Sequence, residues 1–272
     1  MPYRNAHYFV GAVLLVILTG FWASYFSVAN GVPTAFHVHA ISSMTWLLLL
    51  IAQHVAIHRR HNALHKQMGL ASFALFPFLI LGFVMIINVS ATRYSAGGDE
   101  GIALLGPAFG IGMAIAIAAY LTLFYLALKH RRNVKLHAGY MLATPLILFE
   151  SPFSRVILDY LPWFNVIGSE GPRVVLDVIV ISDGLAILFA LGLYAMDRKH
   201  GAPWLIASAF MGAQAAVMWF APSIPLIGSA FGVYAAIPPA VSLALGVVAG
   251  GAAAWFGWEA GKAPRKRAAQ PA

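Results

Sequence analysis

Four histidines occupy twelve consecutive positions, His54-Val-Ala-Ile-His58-Arg-Arg-His61-Asn-Ala-Leu-His65, and His137 follows a second basic stretch. Neutral imidazole is a common ligand for iron, copper, zinc and haem. Spacings of i, i+4, i+7 and i+11 would hold the four rings within about 60° of one helix face, at ~100° per residue. That stripe, with His137, is a candidate metal chelate, provided the helix continues past the membrane edge. If residues 59–68 turn instead, the same histidines form a basic interfacial loop against lipid headgroups. Haem between helices needs two axial ligands at similar depth on different helices. The pairs that satisfy this are His54 or His58 with His137, and His65 with His137. His7 and His200 read as boundary residues.

A second set of residues suits proton or solute chemistry. Glu150 and Asp183 fall inside apolar runs, and ionisable groups at such depth usually face a cavity, a partner or the protein interior. Pro145 and Pro152 free backbone carbonyls on either side of Glu150, and a helix broken around a buried acid occurs at carrier sites. Arg155 can pair with Asp159 on its own helix or with Asp177. The alternative is structural, with two neutral acids bonding neighbouring helices. His39, Trp46 and Gln53 recur every seven residues and make one polar stripe able to line a cofactor cleft or to join helices.

The elements that must carry these groups follow from composition. Of 272 residues 61% are hydrophobic and only 10% charged, with a mean hydropathy of +0.80. A soluble fold of this length needs a charged surface that these residues cannot supply. Runs of about 20 apolar residues cross the ~30 Å hydrocarbon layer as helices. Eight spans are expected, near residues 8–29, 36–58, 69–90, 102–128, 137–161, 172–196, 203–222 and 233–257. Fourteen of the 17 Lys and Arg fall on one side of this arrangement, which puts both termini in the cytoplasm. Ser27, Val28 and Ala29 loosely resemble a signal-peptidase site, but the first run reads as a retained helix. Gly106 with Gly110, and Gly246 with Gly250, have the spacing of close helix contacts, read as packing within one chain. With no cysteine, thiolate metal sites, iron–sulfur clusters and disulfides are excluded. The net charge of +8 belongs to loops beside apolar runs, so nucleic acid is not an expected partner.

HxxxH spacings are also found in the histidine boxes of membrane fatty-acid desaturases, but the adjacent His-His pairs of those boxes are missing. A closer resemblance lies in His39-Ala40, Trp46, Gln53, His65-Lys66 with Gly69, His137 before Met141-Leu142 and Thr144, and Arg155. Over residues 36–156 this pattern resembles a family of uncharacterised polytopic bacterial inner-membrane proteins. The resemblance implies an inner-membrane location and a shared site at His39, Trp46, Gln53, His65, His137 and Arg155. Ala138 and Gly139 depart from the more basic arrangement after the last histidine.

The expectation is an all-α polytopic bundle, one domain over residues 1–261 with a basic tail over 262–272. The leading function is a membrane redox protein holding b-type haem or a transition metal on cytoplasmic-side histidines, with quinone or a membrane electron-transfer partner. The alternatives are a proton-coupled small-solute carrier using Glu150, Asp183 and Arg155, and an accessory subunit of a larger membrane complex.

Overall fold

The computed structural model describes residues 2–97 and 99–262; except for Lys262, the expected basic tail lies outside them. The helices are α1 (Ala6–Gly20), α2 (Thr34–His58), α3 (Asn62–Ser95), α4 (Glu100–Lys129), α5 (Val134–Tyr160), α6 (Val174–Met196), α7 (Ala202–Phe220), α8 (Pro225–Ala235) and α9 (Pro239–Ala260), with no strand among the described residues. Helices are what lipid permits, since each satisfies its own backbone where water is absent. Their outward faces are as apolar as their inward ones. On α9, Leu245 and Val248 are 62% and 65% exposed, whereas Gly246 and Gly250 face the bundle. This pattern belongs to a multi-pass membrane protein, and among the described residues seven helices are long and apolar enough to cross.

The eighth expected span is met in an unexpected way. At 15 residues α1 reaches only ~22 Å at 1.5 Å per residue. A 3₁₀ segment, Phe26–Gly31, carries the chain onward. Before α1, the Tyr3 carbonyl meets His54 Nε2 near the end of α2 at 2.9 Å. Beyond α1, Tyr25 Oη meets His37 Nδ1 near the start of α2, also at 2.9 Å. Helix and extension together therefore run the length of α2. The last span begins at Pro239 and not near residue 233, because Pro238-Pro239 interrupt it. The residues just before form the separate short α8, whose Phe231 ring covers Gly106 and Gly110 of α4. Gly246 and Gly250 rest on Val84 and Pro77 of α3. Both small-residue pairs thus serve contacts within the chain.

Of the described Lys and Arg, all but Arg93, Arg155 and Arg173 lie at the bundle end that holds the 58–62 and 129–134 turns. We call this end the basic face. There Arg131 donates to the Trp258 carbonyl at 2.7 Å and lies 4.0 Å over the Trp258 ring, joining the turn after α4 to α9. Asp197, after α6, accepts from Lys135 Nζ at 2.8 Å and from His200 Nδ1 at 3.1 Å.

The fifth span, expected over residues 137–161, is one continuous helix. Helix α5 runs through both Pro145 and Pro152. Pro145 leaves the Met141 carbonyl without its usual donor, and Thr144 Oγ1 replaces it, donating to Met141 O at 2.8 Å. Where α1 crosses α5, Gly20 sits directly on the backbone of Pro152, leaving no room for a side chain.

Two predictions follow from this packing. Gly20→Ala should lower thermal stability in detergent by about 1–3 kcal/mol, the scale of overpacking. Gly192→Ala, on a face open within 4 Å, should be neutral or slightly stabilising, and equal effects of the two would contradict the α1–α5 contact. Hydrogen bonds from Lys135 and then His200 lower the Asp197 carboxyl from 3.8 to about 2. The stabilisation is then fully present above the unfolded value and lost as pH falls through the folded one. The melting-temperature gap between the wild type and Asp197→Asn should therefore be constant above about pH 5 and close between pH 4 and 2; a gap independent of pH would refute the pairing.

Candidate cofactor cavity at the basic face

Helix α2 does not continue as a histidine stripe. His61 N donates to Ala56 O at 2.9 Å and Arg60 N to Ile57 O at 3.2 Å, while Arg60 takes φ +62°. These are the bonds and the left-handed residue of a Schellman stop, here without the usual glycine. The helix ends at His58, His61 is exposed in the turn, and His65 belongs to α3. The expected four-histidine chelate is therefore split between two helices. Among the described residues no three His, Cys, Asp or Glu side chains stand together in a group that could hold a metal ion.

The turn instead folds His65 back over α2, and a cavity of about 460 Å³ opens between α2, α3, α4, α5 and α9. Gln53, His54, His58, His65 and His137 all line it. Its remaining wall is largely apolar, from Leu50, Phe73, Phe124, Leu128, Met141 and Leu142, and Lys66 and Arg131 are the cations among its lining residues.

Hydrogen bonding fixes the proton on each ring, because a carbonyl only accepts. His58 Nδ1 donates to His54 O at 2.9 Å, and His58 Nε2 is buried without a partner. His137 Nδ1 donates to Ala127 O at 2.8 Å, leaving Nε2 as its basic nitrogen. His54 is the reverse: Nε2 donates to Tyr3 O and the buried Nδ1 has no partner. The His54 ring stacks on His58 at 4.1 Å and lies 5.0 Å from His7. Oriented to satisfy its neighbours, the Gln53 amide donates to His65 O at 3.1 Å and to His65 Nδ1, and accepts from Gly69 N at 2.8 Å. His65 then carries its proton on Nε2 and is a donor.

Below the cavity the polar stripe of α2 becomes a seal. Trp46, fully buried, donates to Thr144 Oγ1 at 2.9 Å, and Tyr120 Oη donates to Thr144 O at 2.9 Å. His39, one more heptad along, packs edge-on to Phe83 with its Nδ1 unpartnered. Trp46 and His39 do not reach the cavity; only Gln53 of that stripe does.

The acids form a separate cluster across α5, α6 and α7. Gln214 Nε2 donates to Glu150 Oε2 at 3.0 Å, and Asp183 is buried nearby with both oxygens unpartnered. Arg155 pairs with neither Asp159 nor Asp177; it donates to Ser151 O and Oγ at 2.9 Å and covers the Phe21 ring. Asp177 accepts from Asn165 and the Ser169 backbone. Neither Glu150 nor Asp183 lines the basic-face cavity or the second cavity, a nearly apolar groove between α1 and α6.

No family model, curated protein or solved structure matches the chain.

Reading the sequence missed Lys66 and Arg131 as cavity residues, Gln214 as the partner of Glu150, and Thr144 as the acceptor of Trp46. Gln214 had a signal, being the one amide in the apolar run of α7. The partnership of Trp46 with Thr144 spans 98 residues and had none. Because Arg60 holds a conformation that costs a side chain about 1 kcal/mol and glycine almost nothing, Arg60→Gly should raise stability by about that amount. A loss of stability in thermal unfolding would contradict the stop at His58.

Proposed function

We propose that the protein is a membrane electron-transfer protein whose basic-face cavity would hold b-type haem, with His58 and His137 as the residues that would hold it. One observation carries this reading: two imidazoles from different helices line the same apolar cavity, each anchored through Nδ1 on a backbone carbonyl with Nε2 left basic. That is how ligating histidines are oriented and made more basic. The hydrogen bonds favour His58 over His54, whose Nε2 is taken by Tyr3, and over His65, whose Nδ1 is occupied by Gln53. Haem requires only two protein ligands.

The other lining residues fit the same group. Lys66 and Arg131 suit its carboxylates at the membrane boundary, and the Leu, Phe and Met wall suits its ring. Bound there, haem would supply one-electron redox chemistry. The protein's own part is to orient the two imidazoles, exclude water with the Trp46–Thr144 seal, and offer His65 Nε2–H as a donor at the rim. On the far side of residues 2–5, the apolar groove between α1 and α6 shares Leu142 with the cavity. An isoprenoid quinone is the electron partner that such a groove suits. By the positive-inside rule, the basic face is cytoplasmic, with both termini on that side, and the bacterial inner membrane is the proposed location.

Protein expressed with added haem precursor should purify with close to one haem per chain and a b-type reduced-minus-oxidised spectrum. His58→Ala and His137→Ala should each lose most of the haem, whereas His61→Ala should keep it. A folded wild type without haem, or full occupancy in both ligand variants, would overturn the reading. Proton-driven uptake abolished by Glu150→Gln would then favour the carrier.

A further inference from the structure

The haem reading leaves the acid cluster unused, and the cluster has a charge problem of its own. Asp183 is 1% exposed and Glu150 7%, at the middle of helices that cross the membrane. They stand close enough for their charges to repel. Gln214 supplies Glu150 with a donor, and Ser154 is a second neighbour. Asp183 has none: both of its oxygens are buried and without a partner among the described residues. A carboxylate has about four acceptor positions and no donor, so an ionised Asp183 would leave every one of them unsatisfied at low dielectric, a cost of several kcal/mol even after relaxation.

The charged and titratable groups around the pair are few. On α5, Arg155 makes no ion pair within 4 Å among the described residues but lies near enough to Glu150 and Asp159 for its charge to act on both. On α2, His39 faces Arg155. Helix α7 contributes only the neutral Gln214. One guanidinium therefore stands against two buried acids, and one more positive charge is needed. A metal cation would require about six oxygen ligands, which the surroundings of Asp183 do not offer. A proton requires a single oxygen.

We propose that Glu150 and Asp183 form a proton-binding site at the centre of the bundle, with the proton on Asp183 and the charge of Glu150 balanced by Arg155 and held by Gln214. The site rests on no part of the haem reading, and the Trp46–Thr144–Tyr120 seal stands between the cavity and His39 on the acid-cluster side. Its capacity is one proton per chain, and because its groups come from α5, α6 and α7, proton binding there can be coupled to movement between these helices.

Infrared spectroscopy of the full chain in lipid vesicles at pH 7 tests this, because a protonated carboxyl has a carbonyl stretch that ionised carboxylates lack. The wild type should show one such band per chain, which shifts in heavy water, and Asp183→Asn should abolish it. No band, or two bands, in the wild type would overturn the proposal whatever the variant does. A band that persists unchanged in folded Asp183→Asn would overturn it as well.

Discussion

Thr144 ties three helices together at a depth where no water is available. Its hydroxyl donates to the carbonyl that Pro145 deprives of a partner and accepts from Trp46 of α2, while its own carbonyl accepts from Tyr120 of α4. Polar groups in hydrocarbon must find partners within the protein, so this one residue keeps α5 helical through its proline and fixes how α2 and α4 lie against it. The register that results brings the end of α2 level with the start of α5. His58 and His137 consequently meet at one cavity, and Glu150 lies beyond the seal.

The two polar regions differ in what each lacks. At the basic face the imidazoles have donors and acceptors assigned, and what remains are basic nitrogens beside cations and apolar side chains. At the acid cluster the Asp183 carboxyl is left with no donor among the described residues. The first arrangement suits a large amphiphilic group with a metal at its centre, the second a single proton. The buried Trp46–Thr144–Tyr120 contact lies between the two regions.

Much of this was legible in the sequence, because lipid imposes simple rules. Apolar runs of about 20 residues located the helices, and the Lys and Arg clusters told one end of the bundle from the other. Of the residues the sequence singled out, Gln53, His54, His58, His65 and His137 line the cavity, and His39, Trp46 and His61 do not. The second span was expected to end at residue 58, as it does, but the choice between a turn and a continued histidine stripe was not legible, since the left-handed position at Arg60 carries arginine in place of the glycine that usually marks a stop. The choice between a broken and a continuous α5 was open for a related reason: the repair of the Pro145 defect lies in the side chain one residue before it. The choice among the histidines depended on carbonyls of Tyr3, His54 and Ala127, which every residue possesses and no sequence pattern singles out.

His58 and His137, on different helices, are the two residues proposed to hold one haem. Electron paramagnetic resonance of the oxidised, haem-supplemented protein distinguishes two imidazole ligands from one, because two hold ferric haem low-spin. The wild type should give a low-spin bis-imidazole signal, replaced by a high-spin signal or by loss of haem in His137→Ala. A high-spin signal in the wild type, or a low-spin signal unchanged by that substitution, would contradict that pairing.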